Sequence, residues 1–137
     1  MSTPTDRTRP GHTAAGTDTA ATVDAWLAAY TEADARSRRT AVASLWHPEG
    51  RLVEPPLDAA GHDGIDGLAV AVQSQFAGCR FRRTSELDEH HGTARYEWEL
   101  VAADGSVVLA GEDVARLDAD GRLVEVVGFF GRPAGLA

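Results

Sequence analysis

Two alternating runs, Thr93–Ala102 and Val107–Leu117, flank an Asp104-Gly105 pair, and no other stretch constrains the fold as tightly. Side chains on a strand alternate between its faces, so each run sorts its residues into two sets. Asp-Gly supplies the left-handed backbone that a tight hairpin needs. A symmetric turn there pairs Ala103 with Ser106. Further out it pairs Leu109 with Leu100, Gly111 with Trp98 and Asp113 with Tyr96. These partners share one face, which is apolar and aromatic apart from Asp113. Arg95, Glu97, Glu99, Val101, Val108, Ala110, Glu112, Val114 and Arg116 take the other, mostly charged face. Turn chemistry and hydrophobic pattern give the same register, and such agreement marks a real hairpin.

Asp113 is the anomaly on the buried face. A carboxyl group there must be paired, protonated or hydrated. Each case suggests a lined pocket more readily than a plain core. Its functional reading is a general acid or base with a pKa raised by desolvation. Its structural reading is an acid bonded to Tyr96 or to a buried backbone group. Gly111, inside the same strand, leaves room for the Trp98 indole to lie over its backbone.

Upstream, the apolar spacing changes to that of helices. Val23, Trp26, Leu27, Tyr30 and Ala33 follow one helix face, with Thr19 or Thr22 as the N-cap. A second helix carries Val42, Leu45 and Trp46 and stops at His47-Pro48, because a residue before proline avoids helical backbone. Arg51–Glu54 reads as a short strand broken by Pro55-Pro56, and Leu57–Gly64 as a loop. Ile65, Leu68, Ala69, Val72 and Phe76 mark a third helix. Arg80–Asp88 and Arg122–Gly131 complete the strands. The second hairpin places Asp113 beside Val126 or Val127, depending on a bulge in the Asp118–Gly121 turn. The last strand is apolar on both faces apart from Glu125, which suggests cover on both sides.

Three helices followed by an antiparallel meander define an α+β class. The chain has 137 residues, enough for one domain with a real core. Residues 1–17 are rich in Thr, Pro and Gly and read as a disordered tail. The domain covers residues 18–132, and residues 133–137 form a short C-terminal tail. A net charge of −8 argues against nucleic acid or an anionic membrane as the main partner. No apolar run reaches the ~18 residues of a membrane span, and no secretory signal is visible. Cys79 is the lone cysteine, so no internal disulfide is possible, and a packing role suits it. These features point to the cytoplasm.

Other chemistry-bearing residues have plainer readings. His47, His62 and His90-His91 form no tetrahedral metal set, so no metal site is expected. Arg80, Arg82 and Arg83 could bind an anion, but balancing an acidic surface or meeting a partner subunit suits them better. No phosphate-binding glycine pattern occurs. Glu54 could be a base at a cavity rim, although a solvated acid at a strand end is the simpler reading. Trp26, Tyr30, Trp46, Trp98 and Phe130 are core aromatics first, and ligand walls if the core is partly hollow.

The chain resembles the nuclear transport factor 2-like superfamily, in its SnoaL-like and ketosteroid-isomerase-like branch. The likeness covers residues 20–132. It rests on the order and spacing of Val23–Tyr30, Leu45-Trp46-His47-Pro48, Gly61–Ile65, Gly111-Glu112-Asp113, Asp118–Leu123 and Gly128-Phe129-Phe130-Gly131. It implies a cystatin-like α+β roll: three N-terminal helices on a curved antiparallel sheet that encloses a conical cavity. It also implies a homodimer, here through the outer sheet face.

In the isomerases an acid on the strand equivalent to Asp113 stays protonated and donates to the substrate oxyanion. Their helical tyrosine corresponds to Trp26, with Tyr30 one turn further on. Their base corresponds to Pro55, with Glu54 beside it. The SnoaL cyclases also use an acid on the Asp113 strand. The epoxide hydrolases of the superfamily fit poorly. Arg95 and Glu97 fall on the outer face, and Gly128 stands where their third acid should be.

These readings lead to a cofactor-free acid/base enzyme of isomerase, cyclase or dehydratase type. Its substrate would be a small, apolar, carbonyl-bearing molecule. Asp113 is the principal acid/base, helped by Tyr30, Glu54 and Tyr96. Trp26, Trp46, Trp98, Leu109, Gly111 and Phe130 would contact the ligand. The alternatives are a non-catalytic binder and a dimeric interaction module of the same fold. An open cleft around Asp113 favours the first two readings, and a closed contact with Tyr96 favours the third.

Overall fold

A computed structural model describes the backbone of residues 10–136 and the side chains of residues 18–136. Within them the order is α1 (Pro10–Tyr30), α2 (Ala35–Leu45), β1 (Trp46–Glu54), β2 (Leu57–Ala60) and α3 (Gly61–Gln75). Then follow β3 (Arg80–Arg83), β4 (Asp88–His90), β5 (Thr93–Val101), β6 (Val107–Leu117) and β7 (Leu123–Phe130). The strands form one curved, open sheet ordered β2-β1-β7-β6-β5-β3, with β4 also paired to β5. The α+β architecture is as expected. One pairing departs from an antiparallel sheet: β1 runs parallel to β7.

Helix α1 buries Val23, Trp26, Leu27 and Tyr30, the face marked by the sequence. Its backbone is helical from Pro10, upstream of both expected caps. Proline suits a first helical position, where its missing N–H would be unbonded anyway. Ala14, Ala15, Ala20 and Ala21 then carry high helix propensity. The expected N-terminal tail therefore meets helical backbone at residues 10–17, and residues 1–9 lie outside the described residues. Thr19 donates to Glu89 at 2.7 Å instead of capping. Helix α1 ends at Tyr30, so Ala33 is exposed in the link to α2. Asp34 caps α2 by accepting the Ser37 N–H at 2.8 Å. A buried Arg38–Asp66 ion pair at 2.6 Å ties α2 to α3.

Three local expectations change. Trp46 belongs to β1, which is longer than Arg51–Glu54 and contains Pro48. Leu57–Ala60 is an edge strand rather than a loop, paired antiparallel to Arg51–Glu54 after a cis Pro55–Pro56 peptide. Arg80–Asp88 divides into β3 and β4, with Thr84–Leu87 between them.

The first hairpin register holds. Tyr96 pairs with Asp113, Trp98 with Gly111 and Leu100 with Leu109. Its turn is not symmetric, since the register shifts between Leu100 and Val101. In the second hairpin a shift between Arg116 and Leu117 moves the pairing beyond both expected partners, and Asp113 faces Gly128. Residues Ala94, Tyr96, Trp98, Leu100 and Ala115 are buried on the inner face, under the helices. No helix among the described residues is long and apolar enough to cross a membrane.

Candidate active site

Four neighbouring strands bring one row of residues together on the inner face. Tyr96 on β5 pairs with Asp113 on β6, and Asp113 pairs with Gly128 on β7. The parallel β1–β7 register runs through Val53↔Val127, so Glu54 follows at the level of Gly128. Glycine in the middle of the row leaves a gap that both acids lean into. A Cβ on Gly128 would lie 2.9 Å from Asp113 Oδ1 and 3.6 Å from Glu54 Oε2.

Each acid has its own donors. Tyr96 donates its hydroxyl to Asp113 Oδ2 at 2.9 Å, and Trp98 donates its indole N–H to Oδ1 at 2.9 Å. Tyr30 on α1 donates its hydroxyl to Glu54 Oε1 in a short contact. Glu54 and Asp113 are each 7% exposed, so the surrounding dielectric is low. The solvated reading of Glu54 is therefore corrected: β1 alternation turns it inward with Gly50 and Leu52.

Burial dominates the proton affinities. It pushes the Asp113 carboxyl up to about 7 against the Tyr96 and Trp98 hydrogen bonds, with the charges of Glu54 and Glu112 adding to the rise. Glu54 is raised by burial and partly held back by the Tyr30 hydrogen bond. Tyr30 is raised by burial, then by the charge and hydrogen bond of Glu54. Tyr96 is raised well above the usual phenol range by burial and by Asp113. Both phenols therefore remain donors near neutrality, whereas Asp113 can exchange its proton there.

An aromatic series surrounds the acids. Trp46 meets Trp26 at 5.3 Å between ring centroids, and Trp26 stacks on Tyr30 at 4.8 Å. Tyr30 meets Phe81 at 4.7 Å, Phe81 meets Trp98 at 5.3 Å, and Trp98 meets Phe130 at 6.1 Å. Trp26 and Trp46 are fully buried, and their indole N–H groups have no hydrogen-bond partner among the described residues. Phe130 is 45% exposed and ends the series at the surface. Leu109 shares the inner face but is only half-buried. The Trp98 indole does lie over Gly111, where a Cβ would come within 2.6 Å of the ring.

Phe81 was missing from the sequence-derived site. It hides between arginines in Arg80-Phe81-Arg82-Arg83, and strand alternation was the available signal for its inward side chain. Two of these arginines pair with acids: Arg82 with Glu99 at 2.7 Å and Arg83 with Asp24 at 2.8 Å. His62 donates toward the Trp46 carbonyl in one tautomer, at 2.8 Å. His90, at the end of β4, contacts His91 in the turn that follows.

Surface grooves reach the aromatic series, not the acids. One of about 850 Å³ is lined by Ala28, Thr31, Arg80, Phe81 and Ala102. Another, of about 460 Å³, is lined by Thr84, Glu97, Trp98, Gly111 and Arg132. Asp113 itself is in closed contact with Tyr96.

No protein-family model and no curated protein matches the chain. Solved structures do. A SnoaL-like family protein of proposed isomerase activity from Agrobacterium tumefaciens str. C58 shares 34% identity, with a TM-score of 0.79. The match covers 85% of this chain and 99% of that one. A proposed SnoaL-like polyketide cyclase from Jannaschia sp. CCS1 matches with 12% identity and a TM-score of 0.66, over 85% of each chain. A protein with a ketosteroid isomerase-like fold from Catenulispora acidiphila DSM 44928, solved with trimethylamine, matches with 14% identity and a TM-score of 0.64. That match covers 80% of this chain and 85% of the other. The last two likenesses show the fold.

Proposed function

The chain belongs to the SnoaL-like family, and on that premise we propose a cofactor-independent acid/base enzyme acting on a small, apolar, carbonyl-bearing molecule. The observation that carries this reading is the facing of two buried acids, Glu54 and Asp113, over the gap left by Gly128. In an isomerisation, ionised Glu54 removes a proton from the carbon beside the carbonyl. Protonated Asp113 donates to the carbonyl oxygen as the enolate charge develops there. Return of the Glu54 proton to another carbon, as the oxygen gives its proton back to Asp113, completes the shift and restores both acids. Ring closure and dehydration use the same two roles. The aromatic series from Trp26 to Phe130 supplies an apolar wall beside the acids.

The test is deuterium wash-in beside the carbonyl across a panel of cyclic and linear ketones in heavy water. Wild-type protein should label at least one class, and Asp113→Asn should not. Labelling that persists unchanged in the variant removes Asp113 from the chemistry. Failure to label any ketone removes the enzyme reading.

The closed Asp113–Tyr96 contact favours a second reading, an interaction module in which the acid is structural. In that case no apolar ligand shifts the melting temperature. A second copy of the chain is the proposed partner under either reading, docked on the outer sheet face. Phe129 is 55% exposed and Val108 41% exposed, which supports this. A cytoplasmic location belongs to the same proposal.

A further inference from the structure

Gly128 needs an explanation that backbone geometry does not give. It is absent from the glycines with positive φ, so its conformation suits any residue. What glycine supplies here is space. A Cβ would come 2.9 Å from Asp113 Oδ1, closer than real side chains pack, and within 3.6 Å of Glu54 Oε2.

The donors show which oxygens face that space. Trp98 occupies one lone pair of Asp113 Oδ1, and Tyr96 occupies Oδ2. Tyr30 occupies Glu54 Oε1. Glu54 Oε2, which has no donor among these bonds, faces Asp113 Oδ1 across Gly128. No cation among the described residues compensates the pair. The charged and titratable groups acting on it are Tyr30 from α1, Tyr96 from β5 and Glu112 from β6. Arg83 and Asp24 act on Tyr96 and are paired with each other. Two carboxylates buried on either side of one glycine, with no cation among the described residues beside them, cannot both ionise cheaply.

We propose that Glu54 and Asp113 hold a single proton between them, and that Gly128 is the positioning residue that permits it. The dyad then carries one acid and one base near neutrality, whichever carboxyl holds the proton. This deepens the acid/base reading and rests on it for its catalytic consequence. The sharing itself belongs to the free protein and can be measured without a substrate.

The experiment follows side-chain carboxyl titration by carbon NMR in wild type, Glu54→Gln, Asp113→Asn and Gly128→Ala. Coupled sites interact by more than about one pH unit, so the Asp113 midpoint should fall by at least that much once Glu54 is neutralised. Gly128→Ala should remove most of the coupling while circular dichroism stays native. An Asp113 midpoint that is the same in wild type and Glu54→Gln overturns the dyad. Coupling that survives in Gly128→Ala overturns the role of the glycine. If Glu54→Gln fails to fold, Glu54→Asp replaces it. Its shorter side chain should weaken the coupling, and an unchanged Asp113 midpoint again overturns the dyad. Coupled titration without any ketone labelling would leave the dyad standing and remove the enzyme reading.

Discussion

Glu54 and Asp113, one from the first strand and one from the sixth, lean toward each other over Gly128, an inner-face position that lacks a side chain. Their hydrogen-bond donors come from different directions. Tyr30 reaches Glu54 from the helical layer, whereas Tyr96 and Trp98 reach Asp113 from within the sheet. The two acids can therefore be perturbed separately.

Asp113→Asn should lower turnover by about 10²- to 10⁴-fold, the usual contribution of a general acid/base. The fold should survive. The asparagine carbonyl can accept from one of the two donors, and its amide would face the other. The unmatched donor should cost about 1–3 kcal/mol. Steady-state kinetics and urea unfolding check the two effects.

Stability should depend on pH through the same residue. The folded Asp113 carboxyl sits at about 7, above its ordinary value of 3.8. The folded state therefore binds more protons between these values. Its contribution is fully present below the lower value and is lost as pH rises through the upper one. The difference in melting temperature between wild type and Asp113→Asn should move against the wild type as pH rises from about 4 to about 7. Comparing the two proteins cancels the surface carboxylates Asp34, Asp58, Asp104 and Asp118, which are shifted downward and act with the opposite sign.

Trp98→Phe keeps an aromatic ring over Gly111 and removes the indole N–H. That hydrogen bond favours the ionised form of Asp113. Its loss should move the Asp113 midpoint upward, and the limb of the activity profile that depends on protonated Asp113 should move to higher pH with it. Carboxyl NMR read alongside the pH–rate curve tests this.

Gly111→Ala should destabilise the fold by about 1–3 kcal/mol or more, because the added methyl meets both the Trp98 ring and the Phe129 carbonyl. The contact with backbone cannot be relieved by a rotamer change. A wild-type denaturation midpoint in this variant would contradict the packing described for the strand.

Phe129→Glu adds a charge to an exposed apolar position opposite Glu112. If the outer face joins two copies, this change should shift the protein from dimer to monomer in sedimentation at micromolar concentration. Circular dichroism should stay unchanged. A wild-type sedimentation profile would remove this face as the contact.

How much was legible beforehand differs from strand to strand. Asp104-Gly105 and the alternation around it placed Asp113 beside Tyr96 correctly, although the turn contains an irregularity that the two-residue pattern did not announce. The partner of Asp113 on β7 was missed for the same reason, since a bulge near Val124 changes the pairing without leaving a composition signal. Glu54 was misjudged because a short strand ending at two prolines looks like an exposed edge. The parallel pairing of β1 with β7 lies far apart in sequence, so local patterns could not reveal that it faces the interior. Phe81 was hidden by charged neighbours. Local periodicity thus located one half of the site, and long-range pairing decided the other.

The order in which the chain can assemble follows from that division. Hairpin β5–β6 already contains Tyr96, Trp98 and Asp113, and it closes over a short stretch of chain. Glu54 joins them only when β1 docks against β7 from the other end of the molecule. Loops that long close late and open early relative to a hairpin. Partial opening that frees β1 would dismantle the two-acid site while much of the sheet stays intact. Amide exchange along β1 and β7 would then mark the threshold at which this protein ceases to have a site, well before it ceases to have a fold.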